Sequence, residues 1–135
     1  MSHSVACIDY RNQKILIAKR NPSGDMGGKW EFPGGKLEEK EDYVQAIKRE
    51  MKEEFGCKCQ VFEKLAEGEF FHKAKKCFLT AFRVQLENDG LKNPFKLTEH
   101  TQTKWVDPRE IKSLNFVDSD LQIFDQIKKT LGIVD

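Results

Sequence analysis

The sequence predicts an α/β protein of α+β character, with a mixed β-sheet sandwiched between α-helices. Short apolar runs of strand type are separated by turn residues. Two segments, 42–55 and 119–131, repeat apolar side chains at helical spacing. Strands and helices are interleaved along the chain, which favours a layered sandwich over a helical bundle. The 135 residues fit one domain with one core, taken as residues 1–135.

The elements follow in order. Val5 to Ile8 and Lys14 to Ala18 are apolar runs separated by Tyr10-Arg11-Asn12-Gln13, and they read as a β-hairpin. Arg20 to Gly35 is a loop dense in glycine and proline, and a loop of that length in a small domain is usually functional. A helix is expected over Asp42–Phe55, with Val44, Ile47, Met51 and Phe55 as its inward stripe and Gly56 as its stop. Strands are expected near Gln60–Phe71 and Cys77–Leu86, followed by the turn residues Asn88-Asp89-Gly90. Thr103 to Val106 reads as a short strand. The last helix runs from about Ser119 to Leu131, with Asp118 or Ser119 as its cap. Phe70, Phe71, Phe78 and Phe82 alternate with other residues on two strands and are mostly assigned to the core.

Bulk properties exclude several classes. The formal charge is +1, from 23 basic and 22 acidic residues, so bulk charge builds no surface for polymeric nucleic acid. No run is long and apolar enough to cross a membrane, and no leader pattern opens the chain. A cytoplasmic protein is therefore expected, either a monomer or a weak homodimer. Cys7, Cys57, Cys59 and Cys77 lack the spacing of a zinc site and read as free thiols.

The chemistry concentrates between Gly34 and Cys57. On a helix, Glu50, Glu53 and Glu54 fall within an arc of roughly 100°. That arc borders the apolar stripe of Ile47 and Met51, where charge is costly unless it is paired or metal-bound. Clustered carboxylate oxygens suit a hard cation such as Mg²⁺ or Mn²⁺. A solvated Glu/Lys helix face is the plainer reading, because Lys48, Arg49 and Lys52 interleave with the acids.

The full spacing decides between the two. Gly35, Glu41, Arg49, Glu50, Glu53, Glu54 and Gly56, with Met51 and Cys57 at aliphatic positions, match the pattern G, five residues, E, seven residues, R-E-U-x-E-E-x-G-U. Seven such matches arise by chance roughly once in 10⁸ start points at average usage, so coincidence is rejected. The chain resembles the Nudix hydrolases, and its stretch from Gly27 to Lys36 resembles the loop before that box in MutT-type members. The box occupies residues 35–57, and the hairpin, loop, box and final helix follow the family's order.

The resemblance implies the Nudix fold and a Mg²⁺-dependent pyrophosphohydrolase, with Mn²⁺ able to substitute. It implies that Glu50, Glu53, Glu54 and the carbonyl of Gly34 hold the metal. Gly35, Glu41, Arg49 and Gly56 would be structural. Glu99 resembles a loop glutamate that contacts metal or activates water, with a plain exposed acid as the other reading. Glu53 or Glu99 would serve as general base. Arg20 and Lys36 flank the loop and are candidates for phosphate oxygens, or are ordinary surface cations.

The expected substrate is a small nucleotide, a (d)NTP cut to a nucleoside monophosphate and pyrophosphate. An oxidised base such as that of 8-oxo-dGTP, or (d)CTP, would serve nucleotide-pool cleaning. Phe32 is a candidate for stacking on the base, with core as its alternative. Asp120 is a candidate for reading the base edge, with a helix cap as its alternative. No proline lies between Pro33 and Pro94, which demotes the ADP-ribose and NADH branches. There is no P-loop, because Trp30 stands where its first glycine is needed. Hydrolysis of another nucleoside diphosphate derivative (a nucleotide sugar or a diadenosine polyphosphate) and a non-catalytic nucleotide-binding module are the remaining readings.

Overall fold

Burial on two neighbouring strands sets the layering. The computed structural model describes residues 2–134. Strand β1 (Ser2–Arg11) is buried without a break from Val5 to Asp9, and β2 (Lys14–Arg20) from Ile15 to Ala18. A strand buried continuously must be covered on both faces. Val5, Cys7, Leu16 and Ala18 point to one side, where they pack with Ile47, Met51 and Phe55 of helix α1 (Tyr43–Phe55). Ala6, Ile8, Ile15 and Ile17 point to the other, against Ile123, Phe124 and Ile127 of helix α2 (Asp118–Leu131). The alternation follows from the two-residue period of a strand.

The sheet is mixed, as expected. β1 turns into β2 through Asn12 and Gln13, both left-handed (φ 53° and 63°). Along its other edge β1 runs parallel to β6 (Lys75–Leu86), which pairs antiparallel with β5 (Cys59–His72). The short β4 (Gly34–Lys36) lies antiparallel to β1, with Gly35 opposite Val5. β2 carries both β3 (Trp30–Glu31) and β7 (His100–Val106). β1 thus gives its first half to β4 and its end to β2. The gap between those partners is where the loop from Arg20 to Gly35 delivers its residues.

Both helices end on left-handed glycines. Gly56, at φ 69°, closes α1 by donating its N–H to the Lys52 carbonyl. A Cβ there would also press on Lys96. Asp42 caps the start of α1 in a reciprocal pair with Gln45. The expected cap of α2 is corrected: Val117 takes the capping position with no side-chain bond. Asp118 and Asp120 instead lie in the first turn of α2.

Two apolar expectations are also corrected. Val44 has the stripe's angle, but it stands in the first turn of α1 and is 42% exposed, while Ala46 is buried. Phe71 is 73% exposed, on the edge strand near the β5–β6 turn, whereas Phe70, Phe78 and Phe82 are partly buried. All four cysteines are free, and Cys57 precedes β5 rather than sharing it with Cys59. No helix among the described residues is long and apolar enough to cross a membrane.

This layering predicts a contrast within one helix. Ile47→Ala should cost about 3 kcal/mol, because its cavity opens between α1 and the sheet. Val44→Ala should change stability by no more than about 0.5 kcal/mol. Urea unfolding of both variants measures the difference, and equal losses would contradict the assigned helix face.

Candidate active site

One guanidinium organises the loop between β4 and α1. Arg49 reaches Glu41 through Nε at 2.7 Å and Nη2 at 2.9 Å, so the pair is bidentate. Its Nη2 also donates to the Lys36 carbonyl at 2.9 Å. Glu41 in turn accepts the Glu38 backbone N–H at 2.7 Å. The Arg49 bonds hold the Glu41 carboxyl well below the usual range, at about 2. The resulting staple ties residues 36–41 to the middle of α1, and this fixes where β4 leaves its backbone.

The same guanidinium sorts the carboxylates. Nη1 of Arg49 lies 2.7 Å from Glu50 Oε1 and 3.2 Å from Glu53 Oε2. Glu50 is held inward, with a side chain 14% exposed, whereas Glu53 is 60% exposed. Glu54 sits beside Glu50, and its Oε2 is buried without a hydrogen-bond partner. Burial pushes the Glu54 carboxyl up to about 9, and the Glu50 charge pushes the same way. The sequence suggests that all three acids share one face; the structure holds Glu54 beside Glu50 and leaves Glu53 exposed, bridged to Glu50 through Nη1 of Arg49. Among the described residues no group of three acidic, histidine or cysteine side chains is assembled for a metal.

Gly35 explains its own place in the box. A Cβ on it would overlap the Glu50 carboxylate, which would have to shift from its place beside Arg49 to make room. Here lies a cleft of about 210 Å³ lined by Gly34, Gly35, Lys36, Glu54, Arg20, Glu31, Phe32 and Asp120. Elsewhere a hollow of about 310 Å³ lies among Arg11, Lys14 and Trp105. Hollows of about 450 Å³ and 460 Å³ also lie beside Cys59 and beside Tyr43. All three are larger but lack an orphaned carboxylate oxygen beside glycine backbone, so chemistry selects the smaller cleft.

The opposite wall holds the residues considered for the nucleotide. Asp120 is buried, and its Oδ2 accepts the Phe32 backbone N–H at 2.9 Å. Burial first, and the Glu31 charge second, push its carboxyl up to about 8. Phe32 is not an exposed stacking platform, which corrects that expectation. Its ring is 2% exposed, edge-on to Phe116 and tilted against Phe124. It forms part of the core beneath the cleft because β3 and α2 close over it. Arg20 lines the cleft, with Nη1 3.1 Å from each oxygen of Glu31. Lys36 lies at the exposed rim. Glu99 is exposed, its carbonyl accepts the Asn21 N–H at 3.1 Å, and its charge adds to the upward push on Glu54.

Two residues escaped the sequence reading. Glu31 stands in the cleft wall between Arg20 and His100, with His100 Nε2 2.8 Å from its Oε2. A lone acid between Trp30 and Phe32, beside a glycine pair, was the available signal for Glu31. Nothing local marks His100, which lies 69 positions away.

The donors fit a hard divalent cation. Two adjacent carboxylates, one with a buried unpartnered oxygen, face glycine backbone that a side chain would block. Uncompensated, that arrangement is costly, and a cation relieves it.

Comparisons with known proteins agree with this geometry. A family model described as the NUDIX domain matches residues 2–127. A CTP pyrophosphohydrolase of Escherichia coli K12 is 31% identical over 125 residues, covering 93% of this chain and 90% of that protein. An 8-oxo-dGTP diphosphatase of the same organism is 44% identical over 70 residues, covering 50% of this chain and 54% of that one. The solution structure of the E. coli ORF135 protein superposes with a TM-score of 0.83 at 30% identity, covering 96% and 89% of the two chains.

The buried acid pair sets a pH dependence. The folded Glu54 carboxyl lies at about 9, above its ordinary 4.5, so its stabilising contribution is present at low pH and is lost as pH rises toward 9. With EDTA present, the melting temperature of the wild type should fall relative to Glu54→Gln between about pH 5 and pH 9. Mg²⁺ should narrow that gap. Parallel melting curves across this range in both buffers would contradict the assignment.

Proposed function

Since this chain belongs to the Nudix family, as the domain match over residues 2–127 shows, we propose that its cleft hydrolyses nucleoside triphosphates to a monophosphate and pyrophosphate. The observation that carries this reading is the union in one cleft of the Glu50–Glu54 pair, the glycine backbone of β4 and the buried Asp120. Phosphate chemistry and base recognition are thereby side by side. The relatives named for CTP and 8-oxo-dGTP support a role in keeping the nucleotide pool clean. The setting we propose is the cytoplasm, with small nucleotides rather than nucleic acid polymers or membranes as partners.

Glu50, Glu53, Glu54 and the Gly34 carbonyl would hold Mg²⁺, and Mn²⁺ could replace it. The cation would neutralise phosphate charge and acidify the attacking water. Glu53 reaches such a cation by leaving Arg49, which keeps its bidentate grip on Glu41. Arg20 and Lys36 line the cleft and would take phosphate oxygens. Of the two expected proton acceptors, Glu53 is engaged by Arg49, while the Glu99 carboxylate forms no ion pair among the described residues. We therefore assign the proton of the attacking water to Glu99. Asp120, protonated below about 8, offers both a donor and an acceptor to a base edge. The N3 and 4-amino group of cytosine present that complement, and the full-length relative named for CTP supports it.

Chromatography of the products formed from a panel of canonical, oxidised and methylated triphosphates, nucleotide sugars and diadenosine polyphosphates tests the reading. Turnover should be highest on a triphosphate and require Mg²⁺ or Mn²⁺. Glu54→Gln and Glu53→Gln should each lower kcat by about a hundredfold or more, and Glu99→Gln should remove the acidic limb of the pH profile. Unchanged turnover in Glu54→Gln would overturn the metal assignment. Nucleotide binding without hydrolysis under any divalent cation would favour a binding module instead.

A further inference from the structure

His100 is buried far more completely than the neighbouring residues of its strand. Its side chain is 1% exposed, whereas Thr101 and Gln102 are exposed. The ring stacks on Phe55 with centroids 5.4 Å apart and planes 25° apart. Phe55 directly follows Glu54 on α1, so the imidazole is registered against the helix that carries the acid pair. On the β side, His100 is the residue opposite Arg20, at a register shift that follows Lys19. The irregularity brings Arg20 and His100 to the same carboxylate. Arg20 contacts both oxygens of Glu31, and His100 Nε2 contacts Oε2.

The two partners differ. Arg20 has a side chain 40% exposed and lines the open cleft. The imidazole is sealed in. Its Nδ1 is buried with no hydrogen-bond partner, so a proton there would bury an unpaired N–H. The ring nitrogen that has a partner is Nε2, and a proton there donates to Glu31. One holder of Glu31 is half-exposed at the open cleft, and the other is buried. Without the buried one, any substrate that recruited Arg20 would leave Glu31 with no side-chain partner to aim it.

We propose that His100 is a positioning residue: its Nε2–H keeps Glu31 aimed into the cleft as a hydrogen-bond acceptor while Arg20 leaves to engage the nucleotide. Glu31 then serves as a fixed acceptor for an N–H or O–H of the substrate. The inference rests on the reading of this cleft as the nucleotide site.

A double-mutant cycle on triphosphate hydrolysis tests it. His100→Phe keeps the stack on Phe55 and removes the donor; His100→Gln restores a donor. His100→Phe should lower kcat/KM by about tenfold, chiefly through KM, and His100→Gln should recover most of that loss. In a Glu31→Gln background, His100→Phe should change kcat/KM by less than about twofold, because the two residues act as one unit. Losses that multiply independently, or an unaltered KM in His100→Phe, would overturn the proposal. Long-range ¹H–¹⁵N spectra give a readout that needs no substrate. The wild type should show His100 protonated on Nε2, with that proton shifted in Glu31→Gln. Protonation on Nδ1 would refute the positioning role even in an active enzyme. An inactive wild type with the expected spectrum would leave the Glu31 contact standing and fail the nucleotide reading alone.

Discussion

The bidentate contact between Arg49 and Glu41 is the constraint on which the site depends. It joins a loop to a helix at one point and fixes the short β4 against β1. Glycine follows at position 35, because a Cβ there would displace the Glu50 carboxylate from its place beside Arg49. The same guanidinium spends its remaining N–H group on Glu50 and Glu53. One cation thus sets the geometry of the loop and partly balances the acids beside it. Exchange to lysine would keep the charge but lose the forked geometry that makes both roles compatible.

Within the acid pair Glu50 is paired with Arg49, whereas Glu54 has neither full solvation nor a cationic partner. A buried carboxylate oxygen with no donor is costly in a folded chain. Its neighbours make the cost larger, since Glu50, Glu31 and Glu99 all add negative potential. Sites with such strain are commonly places where a ligand completes the structure. The rigid surroundings keep the strain from relaxing: Phe55 on α1 is fully buried, and β1 is covered on both faces.

Across the cleft the logic is the same with different partners. Asp120 is buried at the start of α2, held by a backbone N–H of the β3–β4 link. Glu31 is held by one exposed and one buried donor. The cleft therefore presents acidic groups of graded freedom, from Glu31 and Glu54 at its wall to the enclosed Asp120, with the exposed Glu99 near enough to act on Glu54. A polyphosphate brings its own negative charge into that field. Under the proposed function, divalent cations and Arg20 would make such an arrangement hospitable to it.

Local sequence determined the layering and the box. Continuous apolar runs at Val5–Ile8 and Ile15–Ala18 encode strands covered on both faces, and the period of the two helices encodes their inward sides. The spacing from Gly35 to Gly56 encodes a glycine approach, a salt bridge and an acid face, because each depends on residues only a few turns apart. Tertiary structure decided the rest. Angle alone placed Val44 inward, but only the position of the helix end shows it exposed. Helical geometry put Glu53 with Glu50 and Glu54, but only the packed structure shows it exposed and bridged to Glu50 through Arg49. Phe32 was suited to core or to base until Phe116 and Phe124 closed on its ring. Glu31 and His100 meet across 69 positions through a strand irregularity, and no periodicity carries that information. Short-range order is written by steric and hydrophobic period; contacts between distant segments arise only when the packed layers bring them together.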